Sequence, residues 1–184
     1  MSARHPRPAA LTPLADRIDR LTGAVFRVAA WGALAVVLIQ LAVVLARYGL
    51  GLGAPWLQES AVYVHAALFL LAAAGTLARD GHVRVDLFYA GASPRRKAVV
   101  DAAGAVLFLL PVAAALLWLS LPYVGRSWAI LERSREASGL PLVFLLKSLI
   151  PAFAVLLMVQ GVAQLLRALA VLAGDAPAAA AATE

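Results

Sequence analysis

The sequence contains no cysteine among its 184 residues. Disulfide bonds, thiolate metal sites and cysteine catalysis are therefore excluded. The nucleophile signatures G-x-S-x-G and H-E-x-x-H are absent, and so are a P-loop and a dinucleotide-binding glycine fingerprint. Gly49, Gly51 and Gly53 mark a turn that has no phosphate-binding context. These absences predict that the chain is not an enzyme and that it binds no cofactor.

Acidic residues are also scarce, with 10 Asp and Glu against 16 Lys and Arg, whereas 63% of the residues are hydrophobic. A soluble domain is nearer half apolar. The excess lies in four blocks, at about 28–46, 59–78, 98–119 and 142–166, and each block is long enough to cross a bilayer. The basic residues cluster at the block ends, where lipid headgroups account for them, so we expect membrane lipids and no nucleic acid as partners. The predicted fold is an all-α, integral membrane four-helix protein.

The segments outside the blocks divide the chain further. Residues 1–11 are predicted to be a disordered basic tail, residues 12–174 a single membrane domain and residues 175–184 a second disordered tail. Apolar residues near the start of the domain follow helical spacing, at Leu14, Ile18, Leu21 and Val25. This pattern predicts an N-terminal amphipathic helix lying on the membrane surface, and the alternative is a plain helical turn leading into the first span.

The distribution of positive charge predicts the orientation. Eleven of the sixteen Lys and Arg residues lie on the side of the N-terminus, and five of these are in the central stretch from Arg79 to Lys97. Cytoplasmic loops are enriched in Lys and Arg. Both termini are therefore predicted to be cytoplasmic.

Few polar residues lie within the blocks. Glu59 begins the second block, where we predict a structural or docking role, and the alternative is a carrier of protons or sodium. His65 and His82 are seventeen residues apart, so they cannot lie at one depth on a straight helix. A four-span redox or enzyme subunit that uses these histidines remains an alternative, as does an independent small carrier. A carrier usually needs central polar groups or repeated halves, and neither is evident.

The loop after the second block alternates polar and apolar residues. The polar residues His82, Arg84 and Asp86 alternate with the apolar residues Val83, Val85 and Leu87. This alternation is typical of an extended segment with one polar face. We predict that the polar face ties the loop to helices of this chain or of a partner, because a charge among helices is rarely left unpaired. The alternative is ordinary charge at the lipid headgroups.

Three short motifs occur in order along these blocks. Arg47-Tyr48 closes the first block, Trp56-x-x-Glu59 opens the second, and the run from His82 to Asp86 follows it. With the glycine-rich turn, these motifs resemble the DctQ-type small permease subunit of tripartite ATP-independent periplasmic (TRAP) transporters, over roughly Arg27 to Arg167. A later run resembles one branch of that family, at Ser127-Trp128, Glu132-x-Ser134, Gly139-Leu140-Pro141 and Lys147-Ser148.

The resemblance implies a multi-pass protein of the bacterial inner membrane that binds no substrate itself. It implies a large permease partner of about twelve helices, which moves substrate and sodium by an elevator motion. A periplasmic substrate-binding protein would deliver an organic acid to the complex. The small subunit would enlarge the immobile scaffold and help to dock the binding protein, with Trp56, Glu59 and Trp128 at the periplasmic rim.

The candidate docking or structural residues are Arg47, Tyr48, Trp56, Glu59, Tyr63, His82, Arg84, Asp86, Trp128, Glu132, Ser134 and Lys147.

Overall fold

The computed structural model describes residues 12–83, 89 and 91–174. The elements are α1 (Thr12–Val44) with a π-helical continuation (Leu45–Gly49), α2 (Pro55–Ala78), α3 (Pro94–Gly104), a π-helical turn (Ala105–Leu109), α4 (Leu110–Ala129) and α5 (Val143–Leu172). The π-helical turn joins α3 and α4 into one continuous helix, and Pro111 is the second residue after the turn. No strand occurs in these described ranges, which confirms the all-α class.

Four continuous helices are long and apolar enough to cross a membrane. They cover Thr12–Gly49, Pro55–Ala78, Pro94–Ala129 and Val143–Leu172, and each predicted block maps onto one of them. A helix buries its backbone hydrogen bonds internally, so it can cross hydrocarbon without leaving polar groups unpaired. The prediction of a four-helix membrane protein is therefore confirmed.

The predicted amphipathic helix is not a separate element, because it is continuous with the first span. Thr12–Gly49 is one continuous helix of 38 residues. At about 1.5 Å per residue it is roughly 57 Å long, well beyond the hydrocarbon thickness of about 30 Å. No proline interrupts the helix after Pro13. The amphipathic segment therefore continues the span past the hydrocarbon core, with Leu14 and Leu21 exposed and Ala15 buried.

Helix α5 lies at the centre of the packing and contacts α1, α2, α3 and α4. The antiparallel pair α1 and α2, joined by residues 50–54, packs on α5, whereas α3 and α4 make few contacts with that pair. We call the end where α1 begins and α5 ends the termini end. The opposite end, which holds residues 130–142 (the α4–α5 loop), is called the loop end.

Small residues form the contacts between the helices. Buried apolar positions are almost all alanine: Ala15, Ala61, Ala74, Ala98, Ala105, Ala113, Ala154, Ala163, Ala168 and Ala170. Large apolar side chains such as Trp31, Phe69 and Trp118 point outward and are at least two-thirds exposed. Lipid tails are as apolar as leucine, so helices in a membrane associate through close backbone approach at small residues.

The closest approach between α1 and α2 is at Gly75. A Cβ atom there would overlap the Cβ of Phe26 and would lie 3.0 Å from the carbonyl oxygen of Thr22. The guanidinium of Arg79, one turn later, lies 4.2 Å from the centroid of the Phe26 ring. This contact fixes the spacing of the two helices at the termini end.

Replacement of Gly75 by alanine is expected to destabilise the protein. The added methyl group would force α1 and α2 apart, at a cost of about 1–3 kcal/mol in the free energy of unfolding. Gly125→Ala is the matched control, because a Cβ atom at Gly125 meets nothing within 4 Å. Detergent unfolding followed by circular dichroism measures both variants, and equal stability of the two would contradict the packing described here.

Candidate functional site

The carboxylate of Glu59, in the second turn of α2, holds the α4–α5 loop. The hydroxyl of Ser134 donates a hydrogen bond to Glu59 Oε1. The backbone N–H of Leu140 donates to Glu59 Oε2 over 2.6 Å. Hydrogen bonds to a charged acceptor are about twice as strong as neutral ones. Glu59 therefore fastens both sides of the loop to the start of α2, and we call these contacts the Glu59 clamp.

The loop is shaped to fit this clamp. The N–H of Ser134 donates to the carbonyl of Leu140 over 3.1 Å, which closes the chain between them. The N–H of Glu136 donates to the Ser134 hydroxyl over 3.1 Å. A Cβ atom at Gly139 would overlap Ser134 and would lie 2.7 Å from Glu59 Oε1. Position 139 therefore needs glycine because the carboxylate and the serine approach its backbone closely.

A second contact ties the loop to α5. The ammonium of Lys147 donates a hydrogen bond to Glu132 Oε2 over 2.5 Å, and it lies 4.1 Å from the centroid of the Tyr123 ring. Lys147 lowers the pKa of the Glu132 carboxyl from its ordinary value, chiefly through that hydrogen bond, and Ser127 contributes less. Since a lowered pKa keeps a carboxylate charged, the pair is intact at neutral pH. It weakens only in acid below the ordinary glutamate pKa of about 4.3.

Trp128 joins the end of α4 to the start of α5. Its indole N–H donates to the hydroxyl of Ser148 over 2.8 Å. Its ring meets that of Phe144 edge to face, with centroids 4.7 Å apart. Half of the Trp128 side chain remains exposed. The residue therefore has both a structural role and a free face at the loop end.

The other candidates at the loop end are less engaged. Tyr63 lies one turn after Glu59, close to Glu59 and Glu132, and its hydroxyl is buried without a hydrogen-bond partner in the described part of the chain. Trp56 is the second residue of α2 and is 51% exposed. Arg47 and Tyr48 are exposed in the π-helical turn that ends the first span. These four residues share the loop end with the Glu59 clamp.

Of the candidates in the central loop, the structure describes His82, which lies at the termini end. His82 is exposed just beyond α2, and within the described ranges no hydrogen bond reaches it. Arg84 and Asp86 lie outside the described residues. His65 is exposed within α2. It is seventeen residues before His82, which corresponds to roughly 26 Å at the rise of an α-helix. Among the described residues, no group of three or more His, Asp or Glu could hold a metal ion.

Sequence reasoning missed a polar cluster at the termini end. The guanidinium of Arg167 in α5 binds Asp19 over 2.5 Å and Asp16 over 3.3 Å, both in α1. The amide of Gln160 donates to Asp19 over 3.0 Å and accepts from the Thr22 hydroxyl over 2.9 Å. Thr22 and Gln160 are fully buried. We call these five residues the Arg167 cluster.

The polar residue Gln160 inside the fourth block was the signal for this cluster, because buried amides in membranes bond neighbouring helices. The acidic residues Asp16 and Asp19 lie in the segment predicted to form a helix on the membrane surface. The structure instead turns them toward α5.

Comparison with known proteins gives one family. The model of the family described as "Tripartite ATP-independent periplasmic transporters, DctQ component" matches residues 36–171, which is more than half of the chain. No curated protein sequence and no solved structure matches the chain. The matched range includes the Glu59 clamp and Arg167, but it leaves out Asp16, Asp19 and Thr22.

Loss of the clamp is expected to open the α4–α5 loop. Glu59→Ala removes the acceptor of both hydrogen bonds, worth about 1–3 kcal/mol together, so the open population should rise about tenfold or more. Trypsin cleavage after Arg133 and Arg135, quantified by mass spectrometry, should accelerate accordingly. Gln58→Ala is the control, because Gln58 is exposed beside Glu59 on the same helix. Equal cleavage rates in both variants would refute the clamp.

Proposed function

Because the chain belongs to the DctQ component family of tripartite ATP-independent periplasmic transporters, we propose that it is the rigid small subunit of such a transporter. It is a multi-pass membrane protein and a transporter component. In the proposed role it enlarges the scaffold of a large permease, and it carries neither substrate nor coupling ion. The proposal includes a bacterial inner membrane, sodium coupling and an organic acid as substrate, which the family resemblance implies.

The observation that carries this proposal is the absence of charge along the middle of all four described helices. No Asp, Glu, Lys or Arg occurs between Arg27 and Arg47, between Glu59 and Arg79, between Asp101 and Arg126, or between Lys147 and Arg167. Ion and substrate pathways in membranes use ionisable residues or broken helices near the middle of the bilayer. Four helices packed through alanine contacts suit a support better than a pathway.

The charged contacts suit the same role because they lie at the two ends of the bundle. The Glu59 clamp fixes the loop end, and the Arg167 cluster fixes the termini end. A scaffold must hold its shape while a neighbouring subunit moves. Polar ties at both ends would resist rotation of α1 and α2 about α5.

We propose that the loop end faces the periplasm and meets the substrate-binding protein. Its exposed residues include the apolar or aromatic Leu50, Leu52, Trp56, Ile130 and Leu131 and the basic Arg133 and Arg135, together with the acidic Glu136. The Glu59 clamp would hold this surface in one conformation, which lowers the ordering cost of binding. Trp56 and Trp128 would supply aromatic contacts, because aromatic side chains are enriched where interfaces bind tightly.

The outward faces of α1 and α4 are available to the large permease or to lipid. Trp31, Leu38 and Leu41 of α1 are more than half exposed, as are Trp118 and Leu119 of α4. An apolar surface of a second subunit could cover these faces without breaking any ion pair of this chain. We propose that part of this surface contacts the large permease.

The proposed orientation can be tested with single cysteines, since the chain has none of its own. Arg95→Cys at the start of α3 should react with a membrane-impermeant maleimide only from the cytoplasm. Arg135→Cys in the α4–α5 loop should react only from the periplasm. Both positions are exposed, so they are matched for access. Labelling on the reversed sides would overturn the orientation.

The role of the clamp in transport is tested by uptake through the complete transporter. Glu59→Ala should lower uptake of the organic acid severalfold, because the surface that meets the binding protein loses its fixed shape. Membrane insertion and association with the large permease should remain normal. Gln58→Ala should transport like the unmodified protein. Unchanged uptake in Glu59→Ala, together with the faster loop cleavage, would contradict a docking role for the loop end.

A further inference from the structure

A cavity of about 690 Å³ lies at the termini end, between the end of α2, the face of α3 and the last turns of α5. Its volume falls within the range of about 300–1,000 Å³ that ligand pockets occupy. The cavity lies away from the Glu59 clamp and plays no part in the function proposed above. Helix α5 forms its floor, because α2 and α3 pack on α5 but hardly on each other.

The lining changes from charged to apolar along the cavity. Lys97 on α3 and Arg167 on α5 lie toward the helix ends, with Asp101 one turn beyond Lys97. Ala105 and Leu109 continue the same face of the helix toward the middle of the membrane. From Lys97 to Leu109 the helix rises roughly 18 Å, so the lining is about as long as a headgroup with the first part of an acyl chain.

The two cations at this end have hydrogen-bond donors to spare. The ammonium of Lys97 lies 5.3 Å from the centroid of the Tyr89 ring, and among the described residues it forms no ion pair. Arg167 reaches both of its carboxylate partners through the single nitrogen Nη2. Its fork carries five N–H donors, so others remain for an anion. Lys and Arg together are the usual partners of a phosphate group.

An acceptor for a cation lies beside them. Asp101 accepts a hydrogen bond from the Tyr89 hydroxyl through Oδ2, over 2.8 Å, and its other oxygen has no bond in the described part of the chain. Tyr89 therefore orients the carboxylate next to the Lys97 ammonium. An ordered carboxylate beside free cationic donors is suited to a ligand that carries both charges.

The charge balance distinguishes between classes of lipid. Among the described lining residues, the Arg167 guanidinium is paired with Asp19, and Lys97 and Asp101 on α3 add one charge of each sign. A headgroup with negative charge alone would meet the Asp101 carboxylate unfavourably. A zwitterionic headgroup with a primary ammonium matches both signs at once.

We propose that this cavity binds an amine-bearing phospholipid. Its phosphate lies against Lys97 and the free side of Arg167, and its ammonium lies against Asp101. One acyl chain runs along Ala105 and Leu109. The lipid thereby lies between α2 and α3, which hardly contact each other.

Gly104 offers a way to block the cavity without disturbing the packing. It lines the cavity, and a Cβ atom built on it meets nothing within 4 Å. Leucine at this position would occupy the space of the acyl chain while also favouring the helix. Gly125→Leu is the matched control, since Gly125 has equally open surroundings on α4, outside the cavity.

The test uses membranes that contain the full chain and a phosphatidylethanolamine with a photoreactive group on its acyl chain. After illumination, mass spectrometry should locate the crosslink on the peptides that hold Ala105, Leu109 or Ala168. Unlabelled phosphatidylethanolamine should compete for the site, and phosphatidylglycerol should compete poorly. Gly104→Leu should lower the crosslinking yield at these peptides by about tenfold or more, because the added side chain should weaken lipid binding by about one order of magnitude.

Lys97→Gln should also lower the yield, because it removes the free phosphate partner, whereas Gly125→Leu should leave it unchanged. Equal yields in Gly104→Leu and the unmodified chain would overturn the proposal. Equal competition by phosphatidylglycerol would overturn the assignment to an amine-bearing lipid. Labelling spread evenly over all outward faces would show ordinary contact with the bilayer and no site.

Discussion

Helix α5 is the element through which the whole bundle is held together. In a bilayer the hydrophobic effect drives helices into lipid but not against each other. Packing between helices therefore depends on small residues and on hydrogen bonds or ion pairs. The small residues of α5 that face its neighbours are Ala154, Gly161, Ala163 and Ala168. At Gly161 the packing is tight, because a Cβ atom there would lie about 3 Å from the side chains of Leu109 and Leu110. α1, α2, α3 and α4 all meet this helix.

Polar contacts fix the two ends of the helix bundle, whose helices pack through small residues. At one end the Glu59 carboxylate receives two donors from the α4–α5 loop, and Lys147 neutralises Glu132 beside it. At the other end Arg167 of α5 binds two carboxylates of α1. Both sites lie at the ends of the uncharged stretches, and near a membrane boundary water and headgroups would lower the cost of charge. The stretches of the four described helices between these two sites carry no Asp, Glu, Lys or Arg.

The sequence predicted the elements better than the contacts between them. Runs of apolar residues gave the four spans, because hydrophobic length is a local property. The position of Glu59 near the start of α2 could be read from Trp56-x-x-Glu59, but its partners lie 75 and 81 residues away and no periodicity links them. At the end of α2 the residue in the left-handed region is Asp80 (φ 52°), and the backbone of Gly81 approaches the side chain of Thr76 too closely for a Cβ atom. The amphipathic pattern from Leu14 to Val25 was compatible with a helix on the membrane surface and with a helical turn that leads into the first span. Only the three-dimensional pairing of Asp19 with Arg167 decides between them.

The central claim is that this chain supports a transport path that another subunit provides. The most direct measurement is uptake of radiolabelled organic acid into liposomes, with a sodium gradient and the binding protein present, for this chain alone and for the chain with its large permease. The account predicts uptake at the level of empty liposomes for the chain alone, and concentrative uptake only when the large permease is added. Concentrative uptake by the chain alone would contradict it.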